Sequence, residues 1–165
     1  MSGKEQLRTF NEWLESYKGV LFKIVRAYAF SAADREDLFQ EISIQLWDSI
    51  PNYRKASSVS TWIYRVALYV ALAWVRREKK HRQGKVALSS QHHILEETEN
   101  ARNPQLNWLF QQIGQLNEVD RSLTLLLLEG FSYKEMSNIL GISESNVGVK
   151  IHRIKKQLSQ KAKKF

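Results

Sequence analysis

SYKEMSNILGISESNVGVKIHRIKKQL, Ser132 to Leu158, decides the fold. Ser132 followed three residues later by Glu135 is a capping box, in which the serine hydroxyl accepts from the N3 amide and the glutamate reaches back to the cap. A short helix is expected from there to Leu140. Gly141 supplies a turn position where positive φ is cheap, and Ser143 can cap a further helix through Gln160. In that last helix Val147, Ile151, Ile154 and Leu158 recur at steps of 4, 3 and 4, which gives one apolar face, while Ser145, Asn146, Lys150 and Arg153 project elsewhere. Two short capped helices joined through Gly141, with the small Ser137 where they must approach, form the pattern of a DNA-binding helix-turn-helix. An ordinary helical hairpin with a solvated basic face would share the caps and the turn. The acid-free run from Lys150 to Phe165, with seven lysines and arginines, favours DNA.

Working towards the N-terminus, Gln105 to Leu116 and Asp120 to Glu129 carry apolar residues at helical spacing, and Gly130 fits a C′ position. Gly84 to Asn103 breaks the pattern: it is polar, clusters Glu96, Glu97 and Glu99, and is ended by Pro104. The expected organisation is therefore all-α, two small helical domains (1–85 and 105–165) joined by a flexible linker (86–104). No stretch alternates long enough to read as a strand.

In the first half, Leu7 to Ala29 is expected as a helix, with Phe10, Trp13, Leu14, Tyr17, Leu21, Ile24, Val25 and Tyr28 as its core side. Ser31 can cap a second helix, Asp34 to Ser49, and Pro51 follows its end. Leu38, Ile42 and Leu46 form one stripe of that helix; Asp37, Gln40, Glu41, Ile44 and Asp48 form another. The acidic stripe fits either a solvated face or a docking surface for a basic protein groove, with Ile44 as its apolar anchor. After a polar turn at 52–60, a long helix is expected from Ser60 or Thr61 to about Arg82. Trp62, Ile63, Val66, Ala67, Val70, Ala71 and Trp74 can pack inward, leaving Arg65, Tyr69, Leu72 and Arg76 on another side. A face of cations and aromatics suits single-stranded or melted nucleic acid, and Tyr69 is equally compatible with a core position.

The chain has 165 residues, 25 Lys+Arg against 17 Asp+Glu, a net charge of +8 and no cysteine. This excludes a disulfide framework, a thiol nucleophile and a large barrel enzyme. The charge is concentrated: Arg76 to Lys85 and Lys150 to Phe165 hold thirteen of the basic residues. The most apolar stretch, Trp62 to Val75, is interrupted by Arg65 and is shorter than the roughly 20 residues a spanning helix needs, so membrane insertion is not expected. The N-terminus lacks a signal peptide's apolar run, and a cytoplasmic location is the expectation. The four histidines, His81, His92, His93 and His152, show no HExxH spacing, and the carboxylates of 34–48 spread along a face without converging. An enzyme such as a nuclease is disfavoured, and no cofactor or metal is called for. A stand-alone helix-turn-helix regulator that binds duplex DNA by itself is one reading of these features.

DREDLFQEISIQLW (34–47), STWIYRVALYVALAWVRR (60–77) and the helix-turn-helix at 132–158, in that order, resemble regions 2 and 4 of extracytoplasmic-function (ECF) sigma factors. The resemblance implies a subunit of bacterial RNA polymerase holoenzyme that directs promoter-specific initiation. By that resemblance Asp37, Gln40, Glu41 and Ile44 dock on the coiled coil of the polymerase β′ subunit, with the β subunit also a partner. Trp62, Arg65, Tyr69, Arg76 and Arg77 belong to the surface that melts and holds the promoter −10 element, and Ser145, Asn146, Lys150 and Arg153 to the one that reads the −35 element. Many members have Asn at Tyr69, Asp at Ala73 and Phe at Val59. Gly148-Val149 replaces a more common basic and hydroxyl pair, and Leu116-Asn117 a common Leu-Pro. These departures bear on base preference. No appended domain is expected after Phe165, so a separate anti-sigma protein is the expected regulator.

Overall fold

The computed structural model describes residues 1–83 and 103–164, and within them the chain divides into two compact units at Pro104/Gln105. Almost all of the expected linker, 86–104, lies outside the described residues; only Asn103 and Pro104 fall inside them, and Pro104 already opens a helix.

The first unit contains α1 (Gly3–Tyr28), α2 (Ala32–Ser49), a short 3-10 turn (Ile50–Asn52) and α3 (Val59–Gln83). Helix α1 starts four residues earlier than its apolar periodicity suggests, because Ser2 and Glu5 form a capping box. The Ser2 backbone N–H donates to the Glu5 carboxylate at 2.8 Å, and the Glu5 amide donates back to the Ser2 hydroxyl at 3.3 Å. The Ser2 amide, then its hydroxyl, hold the Glu5 carboxyl below its ordinary value of 4.5. A lowered folded-state value means that the cap contributes above the ordinary value and is lost as pH falls through the folded one. Acid titration followed by NMR should therefore give a Glu5 midpoint below 4.5, with the first turn of α1 fraying as that midpoint is passed. A midpoint at or above 4.5 would refute it.

Ser31 caps α2 through the Asp34 amide at 3.1 Å, as the sequence predicts. Helix α3 is capped by Ser58, whose hydroxyl accepts from the Thr61 amide at 3.1 Å, so it begins slightly before the expected Ser60 or Thr61. The core is built from Trp13, Leu21, Ile24, Val25 and Tyr28 of α1, Leu38, Ile42 and Leu46 of α2, and Ile63, Ala67, Ala71 and Trp74 of α3. One expectation is corrected: Tyr64, Leu68 and Val75 are buried, whereas Trp62, Val66 and Val70 are only half-buried. The run VALYVALAWV is apolar nearly all round, so periodicity alone does not select which side packs.

The second unit contains α4 (Pro104–Gln115), whose first residue lies on the other side of the division, α5 (Glu118–Leu128), α6 (Tyr133–Leu140) and α7 (Glu144–Ala162). Proline at the start of α4 forfeits only an amide that has no intrahelical partner there. Asn117 caps α5, Gly130 follows it with φ 83°, Ser132 and Glu135 close the expected capping box on α6, and Ser143 caps α7. Between α6 and α7, Gly141 lies in the left-handed region at φ 69° and its amide donates to the Ser137 carbonyl at 2.9 Å. Ser137 is more than a small residue at a close approach: its hydroxyl donates to the Ile142 carbonyl at 2.6 Å, tying the turn to α6. Met136, Ile139, Val147, Ile151 and Ile154 are buried, as are Phe110, Ile113, Leu123 and Leu126.

Gly148 stands inside α7, where glycine is less favourable than alanine by about 1 kcal/mol. A Cβ there would meet only the Tyr133 ring, at 3.7 Å, an ordinary van der Waals distance. Gly148→Ala should consequently raise the stability of the second unit by about 0.5–1 kcal/mol in denaturant titration; a destabilised variant would contradict this.

Candidate functional site

On α2 the residues of the acidic stripe share one face because 37, 40, 41, 44 and 48 are spaced by three, four or one along a 3.6-residue turn. Asp37, Gln40 and Asp48 are exposed, Glu41 is half-buried, and Ile44 is 58% exposed while its neighbours Leu38, Ile42 and Leu46 are sealed in the core. An apolar side chain left in water among carboxylates can gain by being covered, and the surrounding acids set the sign of what covers it.

Helix α3 carries a second stripe. Trp62, Arg65, Tyr69, Ala73, Arg76 and Lys80 follow at steps of 3, 4, 4, 3 and 4, so they line one face for most of the helix. Tyr69 is 60% exposed, which settles its position outside the core, and Arg76 and Lys80 are exposed while Arg65 is half-buried. Lys80, one turn beyond Arg76, extends the stripe, and Arg54 and Lys55 stand exposed in the preceding turn. Lys80 was readable from its spacing; Arg54 and Lys55 carried no periodic signal because they lie in an irregular segment.

Trp62 stands at the head of this stripe in a fixed setting. Its ring lies 5.4 Å from that of Tyr53, which in turn meets Trp13 edge-on at 5.5 Å. Its indole N–H donates to the Ser49 hydroxyl at 3.1 Å, and the Tyr53 hydroxyl donates to the Ser57 carbonyl at 2.7 Å. This chain of rings anchors the turn between the 3-10 segment and α3, so Trp62 shapes the wall from which Arg65 and Tyr69 project. Lys55, at the turn's tip, has φ 59°, a left-handed conformation unusual for a residue with a side chain.

Arg77 departs from the stripe and pairs instead with Glu41 of α2, so a residue expected at the −10 surface is joined to one expected at the polymerase surface. The two stripes thus adjoin within one unit.

In the second unit, Ser145, Asn146 and Arg153 are exposed on α7, on the side away from Val147, Ile151 and Ile154. Lys150 turns inward by comparison: its side chain is 27% exposed and its ammonium lies 3.9 Å from Asp120 of α5. Val149, at 57% exposure, is an apolar residue within the outward face. Beneath the helix-turn-helix, Arg121 is buried and donates to the carbonyls of Gly114 and Leu116 at 2.9 and 3.0 Å, closing the end of α4.

With that geometry in place, comparison with known proteins is specific. Residues 13–81 match Sigma-70 region 2 and residues 106–158 match Sigma-70 region 4. The chain belongs to the sigma-70 family. It is similar to the RNA polymerase sigma factor YlaC of Bacillus subtilis, 26% identical over 130 residues that cover 76% of this chain and 75% of the relative. It is also similar to the ECF RNA polymerase sigma-E factor of Escherichia coli, 26% identical over 170 residues, covering 96% and 88%. Among solved structures, the sigma factor RpoE of Bartonella quintana, in complex with the anti-sigma factor NepR, superposes with a TM-score of 0.73 at 18% identity, covering 94% of this chain and 98% of that one. CnrH, in complex with the cytosolic domain of CnrY, gives 0.68 at 17% identity, covering 95% and 89%. These two likenesses concern the fold. The sigma-70 match across both regions and the ECF relatives identify the chain as an ECF sigma factor, a promoter-specific initiation factor that acts with core RNA polymerase on promoter DNA. Among the described residues no helix is long and apolar enough to cross a membrane.

Proposed function

We propose that this sigma factor divides its work among three surfaces. The α2 stripe of Asp37, Gln40, Glu41 and Ile44 docks on the coiled coil of the polymerase β′ subunit. The turn at 52–58 and the α3 stripe of Trp62, Arg65, Tyr69 and Arg76, with Arg77 at its border, hold the melted −10 element. The α7 face of Ser145, Asn146 and Arg153, with Lys150 at its edge, reads the −35 element as duplex, with the β subunit a further polymerase partner of the chain. The observation that carries this division is the exposure of Tyr69 in a line of cations. Bases stack on an aromatic ring and phosphates pair with the cations, whereas duplex DNA offers no base face to such a stripe. The protein works in the cytoplasm, and a separate anti-sigma protein that covers these surfaces is the regulator.

Reconstitution with cognate core polymerase and run-off transcription tests the assignment: failure to bind core, or initiation unaffected by Tyr69→Ala, would overturn it. On α7, Arg153→Ala should weaken duplex binding by the holoenzyme almost uniformly across sequences and reduce the salt slope by roughly one, as expected for a lost phosphate contact. A changed sequence preference at constant salt slope would assign Arg153 to a base edge instead.

A further inference from the structure

We infer that Val149 is a specificity-determining residue that packs on the C5 methyl group of a thymine in the duplex read by α7; this rests on the assignment of α7 to the −35 element. The other β-branched residues of α7, Val147, Ile151 and Ile154, are at most 1% exposed, whereas Val149 is 57% exposed. It is the sixth residue of the helix, in the N-terminal half from which a recognition helix meets base edges. Ser145 and Asn146 lie one turn before it and Arg153 one turn after, all exposed, so the valine sits in the middle of a polar reading face.

A valine has no donor and no acceptor. Pressed against the major-groove edge of guanine, cytosine or adenine, it would desolvate a polar group and return nothing. The thymine methyl is the one feature of that groove that an aliphatic side chain can complement. The neighbouring Gly148 keeps the surface beside the valine low: within 4 Å of a Cβ placed there are only ring carbons of Tyr133, at 3.7 and 3.8 Å. Val149 itself, at 57% exposure, is open to an approaching base edge, and the Tyr133 ring packs beside Gly148.

The test uses holoenzyme assembled from the full chain and its cognate core. Duplexes enriched from a random pool give the −35 sequence, and each thymine in it is then replaced by deoxyuridine, which removes the methyl group alone. One replacement should weaken wild-type binding about fourfold, the size expected for one buried methyl group. Val149→Ala holoenzyme should bind the thymine duplex more weakly by a similar factor, lose nothing further on that replacement, and keep the wild-type salt slope, because no phosphate contact is involved. If every deoxyuridine duplex binds wild-type holoenzyme as well as its thymine parent, or if the replacement weakens wild type and variant equally, the inference falls while the −35 assignment stands. If holoenzyme enriches no duplex element upstream of the melted segment, the −35 assignment itself falls, and the inference with it.

Discussion

Arg121→Met should unfold much of the second unit at temperatures where the first remains intact. Arg121 is buried, and its guanidinium donates to two carbonyls, Gly114 and Leu116, at the end of α4. Methionine keeps most of the apolar stem but supplies no donor, so both carbonyls would have to find water or remain unpaired. Hydrogen bonds to a charged donor contribute about 1.5–3 kcal/mol each. Relief of the cost of burying the guanidinium and partial opening of the α4 end offset some of this, leaving a net loss of about 3 kcal/mol. A unit of some sixty residues has a total stability of only about 3–9 kcal/mol, so the loss is a large fraction of it. Hydrogen exchange on the full chain should show protection collapsing across α4 to α7 while α1 to α3 keep theirs. Wild-type protection of α4 and α5 in the variant would refute the role given to Arg121.

The importance of Arg121 is invisible to periodicity, and that marks where sequence reading reaches its limit in this fold. The caps at Ser31, Ser132 and Ser143 and the turns at Gly130 and Gly141 were legible because each is decided within four residues by hydroxyl, amide and φ. The Ser2–Glu5 box is equally local and simply precedes the apolar pattern of α1. Helix α3 failed differently: with apolar residues on nearly every side, the choice of Tyr64 and Leu68 over Val66 and Val70 depends on what α1 and α2 present to it.

For the site, stripes within one helix were legible and contacts between helices were not. The spacing of Asp37, Gln40, Glu41 and Ile44 sufficed to put them on a common face of α2. The pairing of Glu41 with Arg77, 36 residues away, and the approach of Lys150 to Asp120 required the packed structure. Both bear on roles that a motif alone would assign evenly: Arg77 and Lys150 have acidic partners within their own unit, Glu41 and Asp120.

Ile44→Asp is expected to abolish most of the affinity for core polymerase without disturbing the fold. The side chain is 58% exposed, and the residues that hold α2 in place, Leu38, Ile42 and Leu46, lie on its other side, so the substitution should change thermal stability by no more than about 0.5 kcal/mol. At the proposed interface the consequence is larger. A central apolar anchor ringed by polar contacts typically accounts for 2 kcal/mol or more, and a carboxylate in its place must also be desolvated, which corresponds to at least about a 30-fold loss of affinity. Asp37→Lys separates the two contributions: as a charge at the rim it should slow association, and its effect should shrink as salt is raised, whereas the Ile44→Asp deficit should persist. Glu41→Lys is a poorer probe, because it would set a second cation against Arg77 and disturb the α2–α3 contact directly. Titration of labelled protein with core polymerase at two salt concentrations distinguishes these cases. If Ile44→Asp binds core as tightly as wild type, the acidic stripe is a solvated face and polymerase docking must be sought elsewhere on the first unit.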